Sequence, residues 1–232
     1  MNKEENLHKG HRERVRHKFI ENGLAPFADH EVLEMLLFYA YPQRDTNAIA
    51  HHMINTFGSL HNLLEADVPT LITRLGCTEN IAVLLNFIPA LANRYYRSKW
   101  GRNVVLDNGK VAGSYVLDLF VGATVEQFYL LCLDAQRRLN KVTLLSSGTL
   151  DEAAVYLREV IRETLNSQAS CVILTHNHPG GSMRPSTADL EVTRQIIEGL
   201  AFIGVDVLDH IIVAGDMYYS FAARGHHVVG FK

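Results

Sequence analysis

Residues 171–189 read CVILTHNHPGGSMRPSTAD, and the reading of this stretch decides the fold of the second half of the chain. Cys171–Leu174 is a short apolar run of the size of a buried strand. Asn177–Pro185 is a loop rich in Gly and Pro. Ser186 is a good N-cap for a helix reaching about Ile203, because its hydroxyl can accept from the free N–H groups of a first turn. His176 and His178 alternate by two at the strand end, which puts both imidazoles on one side. Asp189 follows eleven residues after His178, in the first turn of the helix, and the glycine-rich loop can fold it back toward the strand end.

Working outward, Glu126–Leu133 (EQFYLLCL) is strand-like, Asp134–Asn140 is a polar turn, and Lys141–Leu145 is a second strand. The pair reads as a hairpin. Tyr156–Leu165 is helical, Val205–Val213 is strand-like, and so is Met217–Phe221. The order strand, strand, helix, strand, helix, strand, strand predicts a mixed α/β sandwich with helices flanking a sheet. The first hundred residues read differently. Asp29 is a candidate N-cap before Val32, Leu33, Leu36 and Leu37, which recur at helical spacing. A helix runs from about Asn47 to Phe57, Ser59 and Asp67 can each cap a short helix, and Gly76 suits a helix C-terminus. Thr78 opens a longer helix to Tyr96. Five or six short helices in a bundle are expected, with Ser98–Asp107 as the linker. The division is therefore a helical domain over 1–100 and an α/β domain over 103–232.

Composition narrows the class. The chain has 232 residues and a net charge of −3, with no strong bias toward a polyanionic partner. Three cysteines, Cys77, Cys132 and Cys171, are odd in number and widely spaced, so neither a disulfide framework nor a thiolate zinc site is expected. Cys132 and Cys171 read as small core residues. Met1–Gly10 is polar and offers no secretory signal, and no apolar run approaches the roughly 18 residues of a membrane span. A reducing cytoplasm is the expected home. Residues 1–102 hold 12 basic and 11 acidic residues, against 10 and 14 in the remainder. The local feature is Lys9, Arg12, Arg14, Arg16 and Lys18, a small basic patch that reads either as a solvated helix face or as a DNA contact.

His176, His178 and Asp189 together offer two imidazoles and a carboxylate, a common ligand set for zinc that leaves a fourth position for water. Zinc lowers the pKa of such a water to about 7. Two histidines and an aspartate also meet in surface loops that bind nothing, and residue chemistry alone leaves both readings open. Among the other histidines, His210 follows an aspartate in a strand-like run and reads as structural or as the support of a ligand. His226 and His227 read as solvated. The string His-Asn-His is not an HNH nuclease motif, which spreads those residues over a longer ββα unit.

The spacing His-x-His, seven residues, Ser, two residues, Asp is met by His176, His178, Ser186 and Asp189. It resembles the JAMM signature of zinc metallopeptidases with the MPN fold. The resemblance is closer to the RadC family, through His176-Asn-His-Pro, Pro185-Ser186 and Leu208-Asp-His-Ile-Ile212. Gly10-His-Arg-Glu-Arg, Phe27-Ala-Asp-His-Glu, Arg44-Asp-Thr-Asn and Phe57-Gly-Ser-Leu extend it over nearly the whole chain. The resemblance implies an α+β protein: an N-terminal all-α bundle of degenerate helix-hairpin-helix type, then an MPN sandwich, JAB-like and cytidine-deaminase-like. It implies zinc held by His176, His178 and Asp189, and a water activated there to cleave an amide bond of a protein or peptide. Glu126 matches the position of the glutamate that shuttles protons, with Glu152 and Glu159 as competitors that read as helix surface. Ser186 would steady the oxyanion, beside its role as a cap. The family's repair association implies the alternative, a non-enzymatic DNA-associated accessory protein. The sequence departs from the family where a Pro-Gly-Ile-Gly type hairpin is expected. Leu75-Gly-Cys-Thr-Glu-Asn80 keeps one glycine and adds an acid, which disfavours phosphate. Tyr156-Leu157 stands where the family has His-Pro, which puts in doubt a site role for that stretch.

Overall fold

The computed structural model describes residues 3–101, 104–148 and 153–231. It divides into two compact units, Met1–Ala90 and Leu91–Lys232. The first holds α1 (Lys3–Asn22), α2 (Asp29–Ala40), α3 (Thr46–Phe57), α4 (Leu60–Glu65) and α5 (Val68–Leu75), and the division falls within α6 (Glu79–Lys99). Local chemistry sets most of these boundaries. The side chains of Asp45, Ser59 and Asp67 accept from Asn47, Asn62 and Thr70 at the starts of α3, α4 and α5. Gly58 and Gly76 close α3 and α5 at φ 83° and 60°, values that suit glycine. Asp29 is not a cap. The cap position of α2 is Ala28, which has no side chain to accept from the first turn, and its own N–H donates to Glu31 Oε2 at 2.9 Å, the reciprocal half of a capping box. Leu33, Leu37, Ala50, Met53, Leu63, Leu71, Ile81 and Leu85 form one buried core.

α1 is held to α2 by its basic residues. The Arg12 guanidinium donates to the carbonyls of Tyr41 (2.6 Å), Pro42 (2.7 Å), Arg44 (2.7 Å) and Phe38 (3.4 Å), at the carbonyl-rich end of α2. Lys18 Nζ pairs with Glu31 at 2.8 Å. Two of the five cations of the basic patch are thus engaged inside the unit, and the side chain of Lys9 lies outside the described residues.

The second unit begins in the last turns of α6. Trp100 Nε1 donates to Asp118 at 2.9 Å and its ring packs edge-on against Tyr115. α7 (Gly109–Leu119) follows, then β1 (Gln127–Leu133), β2 (Leu139–Ser147), α8 (Ala153–Asn166), β3 (Cys171–Asn177), α9 (Thr187–Ala201), β4 (Asp206–Ala214), β5 (Met217–Ser220) and a short 3-10 turn, Ala222–Arg224. The five strands form one sheet in the order β2-β1-β3-β4-β5. Only the β3–β4 pair is parallel, as the crossover through α9 requires. Leu131, Leu133, Cys171, Ile173, Ile211 and Val213 face α7 on one side of the sheet. Phe128, Leu130, Cys132, Val172, Leu174 and Val207 face Val160 of α8 and Ile196 and Leu200 of α9 on the other. The chain is α+β, an all-α part followed by a mixed α/β sandwich.

One irregularity in this sheet matters for the site. The β3–β4 pairing steps from Val172↔Val207 to Ile173↔Asp209, so β4 carries one extra residue, a β-bulge. Strict alternation from Val207 would turn His210 toward α7. The extra residue reverses the phase, and His210, paired with Leu174, lies on the α9 side.

Candidate metal centre

The centre is built where β3 runs out under the start of α9. His176 is the sixth residue of β3 and fully buried, in the pleat phase of Val172 and Leu174. His178 lies just past the strand, its N–H bonded to the Val213 carbonyl at 2.8 Å, and its side chain is 18% exposed. The ring is oriented by its other face: Nδ1 is 2.6 Å from the Ser182 carbonyl. A carbonyl only accepts, so this nitrogen is the donor, which leaves Nε2 as the atom that faces the centre. Asp189, 5% exposed, comes from the first turn of α9. Ser186 fixes it three ways. The serine N–H and hydroxyl each donate to Oδ2 at 2.7 Å, and the hydroxyl oxygen accepts from the Asp189 N–H at 3.1 Å. Burial pushes the Asp189 carboxyl up, but the hydrogen bond and charge of His176 and the two Ser186 donors outweigh it and hold the group well below the usual carboxylate range.

These groups converge. His176 Nε2 and His178 Nε2 are 2.9 Å apart, and the Asp189 oxygens lie 3.3 and 3.6 Å from them. Ligands about 2.0–2.2 Å from one ion in tetrahedral geometry are roughly 3.3–3.6 Å from each other. The carboxylate separations, 3.3 Å to Oδ1 and 3.6 Å to Oδ2, fall within that range and the Nε2–Nε2 distance is a few tenths short; two imidazoles and a carboxylate suit a small divalent cation. Glu126 also meets the two histidines: one ligand atom each from Glu126, His176 and His178 lies within 4.8 Å of the others. It stands two residues before Phe128, which pairs with His176 across β1 and β3. Of its competitors, Glu159 is ion-paired with Arg162, and Glu152 lies outside the described residues.

Three supporting residues have no role in the sequence reading or only a vague one. Asn177, the middle of His-Asn-His, accepts from the Gln127 N–H at 2.8 Å and donates to the Val125 carbonyl at 3.1 Å, clamping the segment that carries Glu126. His210, fully buried, places Nε2 2.8 Å from His176 Nδ1. Burial, then the neighbouring His176, push its pKa well below the ordinary imidazole value, so it is neutral near pH 7. Thr193, one turn after Asp189 on α9, lies 2.6 Å from His210 Nδ1. Asn177 was the most legible of the three, since its neighbours in sequence are the histidines. Thr193 and the phase of His210 depend on tertiary packing.

Beside Ser186 a cleft of about 960 Å³ is lined by Met183, Arg184, Pro185, Leu190, Tyr219 and His226. Leu190 and His226 also border a second hollow of about 440 Å³ against Thr193 and Phe221. His226 is not simply solvated, as the sequence suggests. It is half-buried, hydrogen-bonded to the Tyr219 hydroxyl at 2.9 Å and packed on Phe221, whereas His227 is exposed.

Comparison with known proteins agrees with this architecture. A family model described as RadC-like JAB domain matches residues 106–226. A UPF0758 protein of Fusobacterium nucleatum is 34% identical over 223 residues, covering 93% of this chain and 96% of the relative. A UPF0758 protein of Pseudoalteromonas translucida is 35% identical over 213 residues, covering 92% and 95%. A JAB-type domain is compatible with a hydrolase. Matched by that model over more than half its length, and by these relatives over more than nine-tenths, the chain belongs to the RadC family.

Proposed function

We propose that the chain is a zinc-dependent amide hydrolase, of metallopeptidase or isopeptidase type, acting on a protein or peptide. The observation that carries this reading is the convergence of two imidazole Nε2 atoms and a carboxylate at 2.9–3.6 Å, with a second carboxylate beside them. In this reading His176, His178 and Asp189 hold the metal. Their N and O donors, with no thiolate, suit a catalytic zinc site with one open position. Bound zinc supplies Lewis acidity, enough to bring the pKa of water near 7. Glu126 takes the proton released from the attacking water and passes it to the departing amine. Its position at the half-buried end of β1, clamped by Asn177, suits a group that must meet both. Ser186 holds Asp189 in the resting site. It serves the developing oxyanion by giving up its hydroxyl bond to Oδ2. An extended substrate would lie in the cleft along Met183–Pro185, where Arg184 favours an acidic group.

The test has two arms. Metal analysis of purified protein should return about one zinc per chain, and none in His178→Ala. A proteome-derived peptide mixture should then show new termini with the wild type, and at least ~100-fold fewer with Glu126→Gln. Wild type without metal overturns the ligand assignment. Cleavage unaffected by Glu126→Gln overturns the acid–base assignment.

A further inference from the structure

We propose that the hollow between α9 and the segment after β5 is a subsite for one large apolar side chain of the substrate, so that the chain selects peptides with a leucine, methionine or phenylalanine at a fixed place near the bond it attacks. The inference names a substrate class for the amide-hydrolase reading above. It rests on that reading for the cut, not for the binding.

The hollow adjoins the candidate centre through one helix. Asp189 reaches the two histidines. The next residue, Leu190, lines the hollow together with Thr193 and Ile197, at spacings that put all three on one face of α9. Phe221, His226 and Val228 line the same space of about 440 Å³ from the chain beyond β5. That chain is pinned by its own backbone. The N–H groups of His226, Val229 and Gly230 donate to the carbonyls of Phe221 (3.0 Å), Val207 (2.9 Å) and Leu208 (3.1 Å). The hollow is therefore formed before anything enters it, and little ordering is left to offset binding. Leu190 and His226 also line the cleft beside Ser186, so the hollow borders the space along which a substrate backbone would pass.

The lining decides the occupant. Its polar groups are engaged: Thr193 Oγ1 donates to the Asp189 carbonyl at 2.5 Å, and His226 Nε2 is hydrogen-bonded to the Tyr219 hydroxyl at 2.9 Å. Arg194 spans Glu191 and Glu198 at 2.6 Å each. A polar side chain entering here gives up water and meets groups already paired, a cost that an apolar one avoids. Leu190, by contrast, is 41% exposed, an apolar surface left uncovered beside the centre. The volume lies near the lower end of the roughly 300–1,000 Å³ typical of small-molecule sites. It suits a side chain and not a folded partner.

The experiment titrates protein carrying 13C-labelled Leu, Ile and Val methyls with N-acetyl-leucinamide and N-acetyl-alaninamide. The methyls of Leu190, Ile197 and Val228 should shift saturably with the leucine compound, and the alanine compound should bind at least ~10-fold more weakly. Ile197→Trp and Val228→Phe, which fill the hollow, should abolish the shift at Leu190. The methyls of Leu131 and Ile173, on the α7 side of the sheet, should keep their wild-type positions in both variants. Absence of a saturable shift, equal affinity for the two compounds, or binding that survives both filling variants overturns the proposal. Cut sites made by the wild type in a proteome-derived peptide mixture should align with Leu, Met or Phe enriched at one position, and the filling variants should lose that preference. Cut sites without it also overturn the proposal. If no new termini appear, the hydrolase reading fails, while the titration still decides what the hollow holds.

Discussion

Ser186 and Asp189 show one residue pair serving two levels of structure. The serine caps α9 and in the same geometry holds a proposed ligand by two donors. Ser186→Ala should therefore cost about 1 kcal/mol of stability through the cap, measured by urea unfolding, and weaken zinc binding separately. The acid limb of stability carries a second signature. The Asp189 pKa is lowered from its ordinary value of 3.8. Its contribution is thus complete above that value and is lost as pH falls through the depressed one. Asp189→Asn should lower stability at neutral pH and flatten its decline below about pH 4, a slope that unfolding curves across pH would read. At the other end of the chain, Arg12 illustrates why a basic patch in sequence is weak evidence for a nucleic-acid surface. Its guanidinium is occupied by four carbonyls. Arg12→Ala should cost about 1–2 kcal/mol of stability, and among the patch residues whose side chains are described, Arg14 and Arg16 are the ones left for any DNA contact.

At the scale of elements, what could be read from sequence was what is decided locally. The caps at Ser59, Asp67 and Ser186 and the glycine at the end of α5 were legible because each depends on residues within one turn. α7 was not read as an element, and the reason is its two glycines, Gly109 and Gly113, which lower helix propensity. Gly113 is there for packing: a Cβ at that position would stand 2.3–2.7 Å from the ring of Tyr218 on β5. Gly113→Ala should cost about 1–3 kcal/mol through displacement of that ring, visible as a lowered denaturation midpoint. Gly199 on α9 stands in a similar relation to Leu157 on α8, with 2.4 Å to Cδ1. The site was legible in His176, His178 and Asp189, which lie within one stretch of chain. The bulge was not, because an extra residue in β4 has meaning only against the register of β3. So His210 could be read as a support but not assigned its partner.

Over the whole molecule, the packing of the helical unit is separate from that of the sheet that carries the candidate site. The helical unit has a core of its own, sharing no residue with the two clusters that sandwich the sheet. Leu71→Ala, at a fully buried position there, should destabilise by about 2–5 kcal/mol. Zinc stoichiometry and affinity of the folded protein should stay unchanged, as expected for sites with no shared partners. No helix among the described residues is long and apolar enough to cross a membrane. The three cysteines are free, and burial raises the pKa of each, so they remain protonated thiols. Among the described residues none joins the cluster of Glu126, His176 and His178. A centre without sulfur can be stripped by a chelator and reloaded in air, since nothing in it climbs the thiol oxidation ladder. Cobalt in place of zinc would give only the weak visible bands of nitrogen and oxygen ligands, and the near ultraviolet would lack the strong absorption that a thiolate lends to that ion.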